Sequence, residues 1–143
     1  LCVTVYVTII RGTPMLLQIM FFFLMLPYLG IHISPLTTAI IAIGINSSAY
    51  ISQIVRSGIE SVSHGQIEAA ATLGLSRYDT TRYIVLPQAL RIVLPALGNE
   101  FITLIKDSSL ASTIGVLELY KRGDIIVSQA YNALAIYTTV GLM

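Results

Sequence analysis

Charge is what this sequence has least of. Asp, Glu, Lys and Arg make up only 10% of its 143 residues, against about a quarter in an ordinary soluble domain, and none occurs between Gly12 and Val55. A compact body of this size in water could not be coated by 8 basic and 7 acidic side chains. With 55% hydrophobic residues and a mean hydropathy of +0.82, the composition excludes a free-standing soluble enzyme and points to lipid. A net charge of +1, carried by dispersed basic residues, excludes a nucleic-acid binder, which needs a basic stripe. The single cysteine, Cys2, cannot close a disulfide within the chain, and its apolar neighbours favour buried filler over a reactive thiol. No glycine-rich loop ending in Lys-Ser or Lys-Thr occurs, so ATP hydrolysis is not assigned to this chain. For His32 and His64 a loop or packing role is expected rather than metal ligation. The sequence opens on Leu1 with no basic stretch, which does not support a signal peptide, and it reads as an excerpt of a longer chain.

What is present is a series of apolar segments. Residues 1–10 fit the end of a span that stops at Arg11. From Thr13 to Ile31 runs a 19-residue stretch with Pro14 in its first turn, roughly 28 Å as helix and close to hydrocarbon thickness. Pro27 and Gly30 mark its exit, and His32 to Pro35 reads as a connector. The next span, Leu36 to about Ser57, holds Asn46, Ser47, Ser48 and Gln53, which are costly against lipid and belong against other helices or a passage. Residues 56–91 form a polar middle with four arginines and three acidic residues, expected outside the membrane core. Within it QIEAAATLG predicts a short helix stopped by Gly74, and Ser76 predicts a second one, capped with Asp79 at its third position. Tyr83 to Pro87 reads as an apolar patch ended by proline, and Pro95 as the start or bend of a helix from Ile92 to about Ser112. A polar bend around Glu118 to Asp124 leads to a charge-free stretch, Ile125 to Met143, expected to be only partly inserted. Basic residues in short loops favour the cytoplasmic side, which groups Arg11 with the Arg56–Arg91 region and puts the Ser34 connector outside, against mild objection from Lys121 and Arg122.

Glu68-Ala69-Ala70, then Gly74, then nine residues before Ile84-Val85-Leu86-Pro87, resembles the EAA loop of bacterial ABC importer permeases. The resemblance extends to Arg11-Gly12-Thr13-Pro14, Asn46-Ser47-Ser48-Ala49-Tyr50, Arg56-Ser57-Gly58-Ile59-Glu60, Gly65-Gln66, Leu86-Pro87-Gln88-Ala89 and Lys106-Asp107-Ser108-Ser109-Leu110. Together these blocks look like the polar amino-acid branch, of the histidine, arginine and glutamine type. The resemblance implies an all-α, multi-span transmembrane helical bundle of the type I ABC importer class. Residues 1–143 would be an interior portion of that transmembrane domain, with a cytoplasmic coupling loop at about 58–91. It also implies the bacterial inner membrane as the site of action. The implied partners are a cytoplasmic ATPase that holds ATP and magnesium, a periplasmic or lipid-anchored solute-binding protein, and a second permease copy or paralogue.

In that family the helix around Glu68–Leu73 docks into a cleft on the ATPase, which assigns coupling to Gly65, Glu68, Ala69, Ala70, Gly74, Arg77, Leu86 and Pro87. Residue chemistry agrees, since Ala69, Ala70 and Ala71 permit close approach, Gly74 permits the turn, and Glu68 can meet a basic group or a backbone donor. Arg77 and Arg82 would hold the loop through ion pairs or partner contacts, or simply be solvated. For the substrate pathway the candidates are Asn46, Ser47, Ser48, Gln53, Asn99, Glu100, Lys106 and Asp107. Asn46, Ser47 and Ser48 would meet the charged ends of a zwitterion or help helices pack. Gln53 stands where related proteins often carry an acidic residue, which leaves a preference for cationic solutes open. Asn99 and Glu100 would line the pathway or sit at its cytoplasmic mouth. Lys106 and Asp107 point about 100° apart and so look to separate partners, as structural anchors or as solute contacts. Tyr50 and Tyr131 read as interface anchors. The competing function is a truncated or orphan membrane scaffold that keeps the docking loop without transport.

Overall fold

The computed structural model describes residues 2–142; the side chain of Cys2, read above as buried filler, lies outside the described residues. The described chain is all helix and turn. It runs α1 (Cys2–Gly12), α2 (Met15–Tyr28), α3 (Pro35–Glu60), α4 (His64–Thr72), α5 (Arg77–Thr80), a π-helical segment (Thr81–Val85), α6 (Leu86–Asp107), a 3-10 segment (Ser108–Ile114), α7 (Leu119–Ala130) and α8 (Ala133–Leu142). By length and composition α3 and the continuous helix Arg77–Ile114 are each able to cross a membrane, and α1 with α2 qualifies as a bent pair.

The Arg-Gly-Thr-Pro sequence turns α1 into α2 through 103°. Pro14 is extended, at φ −62° and ψ 139°, and caps α2 from outside rather than sitting in its first turn. The helix expected over 13–31 is therefore shorter, at 14 residues, about 21 Å of rise. Its far end is set by Gly30 at φ +76°, which lets Ile31 N–H reach the Leu26 carbonyl at 3.0 Å and Gly30 N–H the Pro27 carbonyl at 3.0 Å, a Schellman closure. Ser34 then caps α3, its Oγ accepting from Thr37 N–H at 3.1 Å, with Pro35 in the first turn.

Along α3 the buried positions Thr38, Ala39, Ala42, Asn46, Ser47, Ala49 and Gly58 are all small or polar, the composition that lets membrane helices approach closely. Ile19 of α2 fills the space over Ala39 and Ala42, together with Ala111 and Ile114 of the 3-10 segment. Lower down, α3 meets α6 at Gly58, where a Cβ would collide with Val93 Cγ2 and lie 3.3 Å from the Ala89 carbonyl oxygen.

Two expected breaks do not occur where the prolines suggest. The helix runs without interruption from Arg77 to Ile114, 38 residues, about 57 Å. That exceeds a bilayer core of about 30 Å, so its first turns extend beyond the lipid. Pro87 lies in the first turn of α6 and does not end it. The preceding π turn loosens the helix where the ring would otherwise press on the carbonyl four residues back, and Gln88 Nε2 takes up the Ile84 carbonyl at 2.9 Å. Pro95 lies inside α6 in the same way, so Ile92 is not its start. The polar stretch at Glu118–Asp124 is likewise a helix start, with the Glu118 carboxylate accepting from Tyr120 N–H at 2.8 Å and Lys121 N–H at 2.6 Å. α7 ends at Tyr131, itself at φ +53°, and packs on α8 through stacked Tyr120 and Tyr137 rings 6.1 Å apart.

Candidate functional site

Two regions carry the residues singled out above, and the long helix Arg77–Ile114 joins them. The first is the projecting segment α4–α5. α4 ends as Gly74 enters the left-handed region at φ +77°; Leu75 N–H donates to the Ala70 carbonyl at 3.1 Å and Gly74 N–H to that of Ala71 at 3.0 Å. A side chain with a Cβ would be strained there. Ser76 caps α5 as the sequence predicts, with Asp79 N–H donating to Ser76 Oγ at 3.1 Å and Ser76 Oγ–H donating to the Asp79 carboxylate at 2.6 Å. Ala70 is packed inward, at 1% exposure, whereas Gly65, Glu68, Ala69 and Arg77 are on the surface and Leu73 is 80% exposed. Leu86 and Pro87 are exposed where α6 begins. Gln88 and Gln66 share a side-chain hydrogen bond that ties α4 to α6.

Among the described residues the Glu68 carboxylate and the Arg77 guanidinium have no ion-pair partner. The ion pairs weighed for Arg77 and Arg82 are thus not made within the described chain. Arg82 uses tyrosines instead, donating to Tyr78 Oη at 3.1 Å and lying 5.7 Å over the Tyr83 ring.

The second region is a cavity of about 410 Å³ walled by the α1–α2 bend (Arg11 to Met15), by Asn46 and Tyr50 of α3, and by Glu100, Thr103 and Asp107 of α6. Offsets of three and seven residues put the last three on one helix face. The Arg11 guanidinium sits 5.0 Å over the Tyr50 ring, a cation–π contact. Next to this cavity a second one, about 490 Å³, is lined by Arg11, Tyr50, Gln53 and Arg56 with residues of α1. Arg11 and Arg56 thus share one end of the bundle, as charge counting anticipates.

Of the pathway candidates, the structure brings Asn46, Glu100 and Asp107 together in the first cavity and puts Gln53 in the second. Ser47 is buried outside both, its Oγ without a partner among the described residues. Ser48 bonds the Tyr6 hydroxyl at 2.6 Å and the Ile45 carbonyl at 2.7 Å. Asn99 and Lys106 are exposed on other faces of α6. Lys106 and Asp107 therefore diverge, as their adjacency requires.

Arg11, Tyr50 and Thr103 were not assigned to a site from sequence. The three-residue step from Glu100 to Thr103 was a legible signal; nothing local joins Arg11 to Asn46 across 35 positions. The cavity offers carboxylates, a guanidinium and an amide within one wall set, groups that complement the ammonium and carboxylate of a zwitterion.

A protein family described as "Binding-protein-dependent transport system inner membrane component" matches residues 1–142. The glutamine transport system permease protein GlnP of Escherichia coli (strain K12) is 45% identical over 140 residues, covering 96% of this chain and 64% of that protein. The L-cystine transport system permease protein TcyB of Bacillus subtilis (strain 168) is 45% identical over 119 residues, covering 83% of this chain and 51% of its own. A solved structure described as "Crystal structure of an amino acid ABC transporter with histidines" superposes with a TM-score of 0.89 at 41% identity, covering 97% of this chain and 65% of that one. The chain thus spans less than two thirds of the length of the curated relatives it matches.

Proposed function

The chain belongs to the family of binding-protein-dependent transport system inner membrane components, and from that membership we propose that it is the membrane-spanning permease part of an ATP-driven importer of polar amino acids. One observation supports this most. A single helix, Arg77–Ile114, carries the exposed α4–α5 segment at one end and Glu100, Thr103 and Asp107 of the cavity further along.

In this reading α4 docks on a cytoplasmic ATPase through Gly65, Glu68, Ala69, Gly74 and Arg77, with Leu86 and Pro87 beside it and Ala70 packed beneath. Glu68 supplies an acceptor for the partner. ATP and magnesium reside in that partner, and this chain performs no covalent chemistry. Displacement of α4 passes through the Gln66–Gln88 tie and the long helix to the cavity, where relative motion of α3 and α6 alternates access. A solute-binding protein delivers the amino acid from outside, and a second permease copy or paralogue completes the passage. Asn46, Glu100 and Asp107 contact the solute, and Gln53 lies next to them.

Reconstitution of the complete encoded permease with its ATPase and binding protein in proteoliposomes tests this. ATP-dependent accumulation of histidine, arginine or glutamine is the expected result; a verified assembly that accumulates none of them overturns the proposal and leaves the scaffold reading.

A further inference from the structure

A buried amide outside the cavity sets the orientation of one inside it. Gln18, on α2, is only 8% exposed and lies between the α1–α2 bend and α3. Its Nε2 donates to the Ile10 carbonyl at 2.8 Å, and meets Thr13 at the carbonyl, 3.1 Å away, and at Oγ1, 2.7 Å away. Main-chain carbonyls only accept, so the nitrogen of Gln18 must face the bend and its oxygen must face away. That oxygen meets Asn46, whose Nδ2 donates to it at 3.1 Å.

The polarity is thereby passed on. Were Asn46 turned over, its oxygen would face the Gln18 oxygen, two buried acceptors with no proton between them. The nitrogen of Asn46 is therefore held toward Gln18, and Oδ1 is left for the cavity that Asn46 lines with Arg11, Glu100 and Asp107. Where the two amides meet, Gln18 at 8% and Asn46 at 7% exposure, the contact is buried and no bulk water offsets a wrong choice. The same Gln18 nitrogen also clasps both sides of the bend, the end of α1 at Ile10 and the turn at Thr13.

We propose that Gln18 is a positioning residue: it fixes the Asn46 amide so that its oxygen faces the ammonium end of the solute. The role at the solute rests on the transport reading; the pairing of the two amides does not. Without Gln18 the Asn46 amide is free to turn its NH₂ group toward an ammonium, which repels it.

The test uses the complete permease, assembled with its ATPase and binding protein in proteoliposomes, with glutamine and histidine as probes. Gln18→Met keeps the volume and removes every bond. It should raise KM for uptake about tenfold with kcat little changed, the effect of about one lost hydrogen bond. Asn46→Ala should do the same, and the double variant should be no worse than Asn46→Ala alone. A Gln18→Met protein that only melts earlier with KM unaltered, or KM changes that multiply in the double variant, would overturn the proposal. If Gln18→Met does not assemble, Gln18→Glu takes its place. Its carboxyl still accepts from Asn46 while giving up donors to the bend, so KM should stay within about threefold of wild type even where the melting temperature falls, whereas a rise in KM of about tenfold counts against the role. Wild-type complex that hydrolyses ATP but carries neither probe sinks the transport reading and the solute role with it. The melting temperatures of the single and double variants then still decide the amide pairing, additive losses overturning it.

Discussion

The α4–α5 segment, proposed above to dock on an ATPase, and the cavity meet on the same long helix but are held by different means. In α4 and α5 the hydrogen bonds close over three to five residues, as in Leu75 to Ala70 and Asp79 to Ser76, with Gln66 to Gln88 as a longer tie. Around the cavity the bonds cross the sequence, from Asn46 to Gln18 over 28 positions and from Tyr6 to Ser48 over 42. A locally satisfied segment keeps its shape while it moves as a unit, which suits a lever. A site stitched across three helices keeps its shape only while those helices stay in register.

The contrast can be broken from either side. The largest effect is expected at Gly74→Val, which puts a β-branched residue at φ +77°, a conformation costing at least about 1–2 kcal/mol. Uptake should fall more than tenfold while ATP hydrolysis and solute binding persist, read as the ratio of amino acid moved to ATP consumed. Gly58→Leu should separate α3 from α6 at Val93 and cost about 1–3 kcal/mol, seen as a lower melting temperature, with Val93→Ala restoring part of the loss. Asp107→Asn removes a cavity carboxylate and should raise KM several-fold without changing the coupling ratio, the reverse of Gly74→Val. Arg56→Ala breaks an exposed ion pair with Glu60, 2.8 Å long and within one helix turn, and should shift stability by no more than about 0.5 kcal/mol. A large loss of coupling at Asp107→Asn, or none at Gly74→Val, would remove the distinction between the two regions.

That distinction also explains what was legible in the sequence. Ser76, Gly30 and Gly74 announce a cap and two stops because such signals need only their neighbours, and each occurs where the pattern placed it; Ser34, read only as part of a connector, caps α3 by the same local rule. Pro87 and Pro95 misled, because a proline's cost depends on whether the helix can open around it. Here the π turn at Thr81–Val85 does so at Pro87, and residues 77–91 run on into α6 as one helix. The cavity was half visible. Asn46, Glu100 and Asp107 stood out as polar groups in apolar surroundings, but nothing distinguished them from Ser47, Asn99 or Lys106. Helix rotation decides which of these face inward, and a residue or two of phase moves a side chain from one face to another.

By itself the sequence determined the environment and the local machinery. The scarcity of charge requires lipid, Gly74 stops α4, and the caps set the helix ends, since all of these act through composition or nearest neighbours. Only the tertiary structure decided that Arg11 would lie over Tyr50, that Gln18 would take the Asn46 amide, and that Gly58 would admit Val93. Those contacts join residues 28 or more positions apart, and their geometry depends on how helices cross and rotate, which no window of sequence contains.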